Sequence, residues 1–209
     1  MDKQLLSILR KKQQLLRNNP DSIFQQYDTY LESNGFYRSL NRNTFEKQIK
    51  GHTELCNDIL VLYNEAKLEN ERLVLLEDLA AIGYDKNKLV QLILQVFHRE
   101  PRPSNLWEYA DLLYSLKNYR YLGEYLTIIK DESYKEDRQM LILLVGKSKK
   151  VDVVPVLTAL LEDSLVYGHV LDALSNFSGE HIEHIMLKYA DCETLWIRKI
   201  AQRYLRKRR

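Results

Sequence analysis

The feature that most limits what this chain can fold into is a repeat. Leu122, Tyr125 and Ile129 stand before Asp131 as Val154, Leu157 and Leu161 stand before Asp163, and as Ile182, Ile185 and Tyr189 stand before Asp191. Apolar residues spaced by three and four mark helices. The aspartates are separated by 32 and then 28 residues, the length of a helix pair with its connections. A single pair cannot bury both of its apolar stripes, so the pairs must stack and shield one another. Such a chain presents a long binding surface and need carry no chemistry of its own, so its architecture is more legible than its activity.

Composition agrees. Glycine and proline number only 7 and 4, too few for a turn-rich β fold. With 45% hydrophobic and 29% charged residues in 209, the chain can bury one sizeable core and is not of disordered type. The net charge of +2 conceals an asymmetry: Arg198, Lys199, Arg203, Arg206, Lys207, Arg208 and Arg209 fall in the last twelve residues with no acid among them, and the remainder carries −5 by difference. Arg10, Lys11 and Lys12 stand where a secretion signal would need apolar residues, and no apolar run approaches a membrane span of roughly 20 residues. Cys56 and Cys192 are far apart and in no metal-type spacing, as suits free thiols. A cytoplasmic protein is expected, with no membrane partner.

The spacing predicts a first helix over Lys3–Arg17 and a second through Ile23, Phe24, Tyr27, Tyr30 and Leu31 that ends near Gly35. Phe45, Ile49, His52, Cys56, Ile59, Tyr63 and Ala66 alternate in steps of four and three, which predicts one long helix capped by Thr44, with an interhelical seam. Such a seam would also allow self-association. A pair over Arg72–Ile82 and Lys86–Phe97 turns across Gly83, and Pro101 and Pro103 punctuate the chain before Leu106. Beyond that point helices are expected at about 106–117, 120–130, 137–148, 151–162, 165–176, 180–190 and 194–206, the four extra residues of the longer repeat falling in Glu132–Glu136. Leu113, Val145, Ala173 and Ala201 share one register and are expected to line the common core.

Glu193, Thr194, Leu195, Trp196, Ile197, Arg198, Lys199, Ile200 and Ala201 resemble the opening of a HEAT repeat. The segments from Asp163 to Leu174 and from Asp152 to Leu157 are similar to a first and a second helix of that family. The resemblance implies an all-α, right-handed α-solenoid of antiparallel helix pairs over residues 70–209; it does not extend to 1–69, whose apolar spacing is read as an N-terminal helical region or cap. It implies further that second helices line a concave, partner-binding face, as in free-standing scaffolds and in immunity or inhibitor proteins. Trp107 and Asp111, four residues apart, also resemble part of the site of HEAT-like alkylpurine DNA glycosylases, where Arg138 or Arg198 would supply a third member.

The candidate residues have competing readings. Trp107 and Asp111 lie one turn apart, so they would face one ligand, or Trp107 would cover a helix start and Asp111 would be solvated. Arg120, Tyr121 and Glu124 form a candidate recognition cluster, since tyrosine supplies contact area at low entropy cost, while Tyr125 is assigned to the core. His181 and His184 lie on one face with no third ligand in view, so no metal is expected. Trp196 is expected to plug the end of the core. The basic end is expected to complement a helix dipole, and a nucleic-acid partner is not expected. No phosphate-loop glycine pattern or nucleophile elbow occurs. The reading is a non-catalytic scaffold or inhibitor without cofactor, binding another protein through Trp107, Asp111, Arg120, Tyr121, Glu124, His184 and Lys188. The alternative is a glycosylase-like nucleic-acid enzyme.

Overall fold

A computed structural model describes residues 19, 21–38 and 41–207. The helix expected over Lys3–Arg17 lies outside the described residues. Within them every regular element is helical and no strand occurs, so the chain is all-α. None of these helices is long and apolar enough to cross a membrane. One compact unit ends at Asn105 and a second begins at Leu106. The boundary expected between residues 69 and 70 falls inside the first.

The first unit contains α1 (Phe24–Ser33), α2 (Arg42–Ile49), α3 (Cys56–Glu65), α4 (Glu69–Ile82) and α5 (Lys86–Phe97). The single long helix expected from Thr44 to Ala66 is two helices. Asn41, not Thr44, caps α2, its side chain accepting from the Asn43 N–H at 2.9 Å. Gly51 then adopts φ +84°, a left-handed backbone that ends the helix without Cβ strain, and its N–H donates to the Ile82 carbonyl of α4 at 2.9 Å. A 3₁₀ turn over Thr53–Leu55 leads into α3. The apolar positions of the expected seam remain buried, because α2 and α3 each pack on α4. They are buried within the unit. His52 alone leaves the series: it sits edge-on to Phe36 at 4.7 Å and bonds Glu54 at 2.7 Å.

Contact on both flanks explains why α4 hides two carboxylates. Glu71 accepts from the Ser22 hydroxyl and, at 3.1 Å, from the Ile23 N–H, which ties the entry to α1 onto α4. Asp78 accepts from the Tyr27 hydroxyl at 2.8 Å and pairs with Arg42. Burial holds the Asp78 carboxyl above its ordinary range even though Arg42 and Arg38 pull it down.

The second unit contains α6 (Leu106–Leu116), α7 (Leu122–Lys130), α8 (Gln139–Lys147), α9 (Val154–Ala159), α10 (Tyr167–Leu174), α11 (Glu180–Lys188) and α12 (Leu195–Arg206). Each expected helix is present. The segment expected as one helix over 151–162 is shorter, with α9 flanked by 3₁₀ turns at Val151–Val153 and Leu160–Glu162. The extra residues of the longer repeat fall in Glu132–Arg138, two 3₁₀ turns separated by a kink at Lys135, where φ is +46°. Two of the three repeated aspartates are local caps: Asp131 accepts from the Ser133 N–H and Asp163 from the Leu165 N–H, each at 2.9 Å. Packing runs along a row, α6 on α8, α8 on α10 and α10 on α12, while α7, α9 and α11 lie against α8, α10 and α12.

Leu113, Val145, Ala173 and Ala201 are fully buried in that row, as their shared register requires. α8 and α10 approach closely, and a Cβ on Gly146 would stand 2.6 Å from both Cα and Cβ of Ala173. A Cβ on Gly168 would instead meet side-chain ends only, the far edge of the Trp196 ring at 2.2 Å and the Ile197 Cδ1 at 3.2 Å, and Trp196 is 46% exposed. Gly146→Ala therefore forces two backbones apart and should cost about 1–3 kcal/mol, whereas Gly168→Ala should cost clearly less. Urea unfolding of the two variants checks the order; equal losses would mean that α8 and α10 yield as readily as a surface indole.

Candidate protein-binding site

The seven residues expected at the site fall on three elements. Trp107 and Asp111 lie one turn apart on α6, with Trp107 42% exposed and Asp111 half-buried. Arg120, Tyr121 and Glu124 belong to the entry of α7, where Arg120 and Glu124 are exposed and Tyr121 is half-buried. Two bonds hold that entry: the Asn118 side chain accepts from the Arg120 N–H at 3.1 Å, and the buried Tyr125 hydroxyl donates to the Asn118 carbonyl at 2.9 Å. The assignment of Tyr125 to the core holds. His184 and Lys188 are exposed one turn apart on α11. Of the elements that carry them, α7 packs on α8 and α11 on α12. Leu187, beside His184 and Lys188, is 55% exposed and was not anticipated.

The expectations for Arg138 and Trp196 need correction. Arg138 is fully buried: its guanidinium pairs with Asp163 and donates to the carbonyls of Ile129 and Lys135, each at 2.9 Å. Its donors are taken up in joining the Glu132–Arg138 stretch to the next repeat, so it is not available beside Trp107 and Asp111. Arg198 is half-buried and donates to the Cys192 carbonyl at 3.1 Å. Trp196 does not plug the core; its ring lies over Gly168 and 5.6 Å from the His169 ring, with much of its surface in solvent. Among the described residues no three His, Cys, Asp or Glu side chains are grouped so as to hold a metal ion.

A concavity of the second unit lies elsewhere. Tyr114, Lys147, Asp172, Arg203 and Lys207 line a cavity of about 570 Å³ with the turn Ser175–Ser178, where α6, α8, α10 and α12 come together toward their C-terminal ends. The Lys147 ammonium lies over the Tyr114 ring, 5.5 Å from its centre, and Arg203 contacts Asp172 at 3.4 Å. A sequence signal for this grouping exists. Lys147, Ser175 and Arg203 each stand two residues beyond Val145, Ala173 and Ala201, so the register that builds the core also aligns them.

Comparison with family models, with curated proteins and with solved structures finds no match for this chain.

Two outcomes follow. Asp163→Ala should cost about 3–5 kcal/mol, because it leaves the Arg138 guanidinium buried without its countercharge, and adding Arg138→Met should recover part of the loss. Chemical denaturation of the single and double variants checks the coupling; additive losses would dissolve the pair. Burial pushes the Asp111 carboxyl above its ordinary value. A carboxyl raised in the folded state takes up its proton before the unfolded chain does, so this group adds stability as pH falls and loses it as pH rises through the raised value. Asp111→Asn should remove that contribution, which thermal melts across the acidic range would register; an unchanged pH profile would count against it.

Proposed function

We infer that this protein is a non-catalytic scaffold or inhibitor, immunity-like in mode, that works in the cytoplasm by binding another protein. In this reading the helix pairs from Leu106 onward form a right-handed, HEAT-like α-solenoid, and the partner seats on the face made by second helices. The observation that carries the reading is the burial register. Leu113, Val145, Ala173 and Ala201 turn the first helices into a shared core, while the outward residues of α7 and α11, Arg120, Glu124, His184 and Lys188, stay in solvent. Leu187 adds an exposed apolar contact among those charges, the combination of an anchor with a polar surround that recognition surfaces favour. Trp107 and Asp111 on α6 would meet the partner only where it reaches past the second helices.

The experiment compares the full chain with a variant carrying Arg120→Glu, Glu124→Lys and Lys188→Glu, both used as bait in an extract of the native host. The expected result is one protein retained by the wild type and lost by the variant, with the helical melts of the two baits superimposable. Retention of the same protein by both baits would move the binding face elsewhere.

A further inference from the structure

We propose that the cavity at the C-terminal ends of α8, α10 and α12 is a binding site for a phosphomonoester dianion. Its charge is the first argument. Lys147, Arg203 and Lys207 bring three positive charges to its wall against one negative charge from Asp172, a surplus of two that a singly charged carboxylate leaves half compensated.

The state of those cations is the second. Elsewhere among the described residues, Arg42 and Arg138 are neutralised. Arg42 meets Glu46, Glu77 and Asp78, and Arg138 is buried on Asp163 and two carbonyls. The cavity cations are not matched in this way. Arg203 has a single 3.4 Å contact to Asp172 and a side chain 59% exposed, so its planar fork can turn to meet two oxygens of one anion. Lys147 rests on an aromatic face, and Lys207 makes no ion pair among the described residues. Ser178 adds an exposed hydroxyl at the rim.

Rigidity and size complete the case. Lys147 and Arg203 stand two residues beyond the fully buried Val145 and Ala201, so their backbone spacing is set by the packed row and not by loop motion. A volume of about 570 Å³ lies in the range of small-ligand sites and exceeds what a bare phosphate fills, leaving room for the group that bears it. Cations near helix C-termini also complement the helix dipole, but that role needs no cavity and produces no response to an added anion.

The test is an NMR titration of the isotope-labelled full chain with O-phosphoserine and with a short phosphoserine peptide. The unphosphorylated peptide and sodium chloride at matched ionic strength are the controls. Shifts are expected at Lys147, Ser178 and Arg203 with both phosphorylated probes. They should weaken as pH falls below about 6, where the ester loses its second charge. Lys147→Met or Arg203→Gln should reduce affinity about tenfold or more. Arg206→Gln, on the same helix but outside the cavity, should leave it unchanged. Equal affinity for the two probes would identify a small phosphate ester as the ligand, and tighter binding of the peptide a phosphorylated partner protein. No shift, or the same shift with the unphosphorylated peptide or with chloride, overturns the proposal. So does an oligonucleotide that binds the same residues more tightly than either probe, because that assigns the cavity to a phosphodiester backbone. None of these readouts depends on Arg120, Glu124 or Lys188, so the site stands or falls apart from the protein-binding face.

Discussion

The covering of one first helix by the next is the interaction on which the second unit depends. Each of α6, α8, α10 and α12 buries its register position, and α8 and α10 approach until Gly146 meets the backbone of Ala173. At roughly 25 cal/mol for each Å² of apolar surface removed from water, the helices gain stability only by lying this close, and only small side chains allow it. The same closeness has a consequence at the surface. Residues that occupy equal positions in successive repeats are brought side by side, so Lys147, Ser175 and Arg203 meet at one cavity although they are scattered along the chain.

Buried charge has the complementary role of fixing connections. Glu71, Asp78 and Arg138 are the fully buried acidic and basic side chains among the described residues, and each joins segments distant in sequence. Glu71 holds the entry to α1, Asp78 gathers Tyr27 and Arg42, and Arg138 bridges from one connection to Asp163 at the next. Desolvation makes such groups costly unless every partner is in place, so they select one arrangement of the chain more than they add to its stability. The cations of the cavity are of the other kind, solvated and only lightly matched.

Much of the fold was legible because helical spacing is a local property. Phe24 to Leu31, Lys86 to Phe97 and the seven helices from Leu106 onward appear where the apolar periodicity places them. The failures share a cause. Phe45 to Ala66 keeps a heptad-like spacing across Gly51, but the bond from Gly51 to Ile82 turns the chain there, and nothing in the spacing announces a hydrogen bond to a helix more than thirty residues away. Arg138 reads as one more charge in a polar connection until the backbone at Ile129 and Asp163 closes around it. Trp196 has the size and chemistry of a core residue, yet Gly168 offers it only a flat bed at the surface.

The candidate sites divide along the same line. Residue spacing alone placed Arg120 and Glu124 on one exposed helix entry and His184 and Lys188 on another, because solvent exposure along an amphipathic helix follows from its own apolar stripe. Whether separate helices pool their residues is another matter, since it depends on how closely and at what register they pack. The amino-acid sequence by itself therefore determined most of the helices and the buried register. Tertiary structure alone decided that Arg138 is spent inside the fold and that Lys147, Arg203 and Lys207 share a cavity, because contacts between residues tens of positions apart are set by packing that no local pattern encodes.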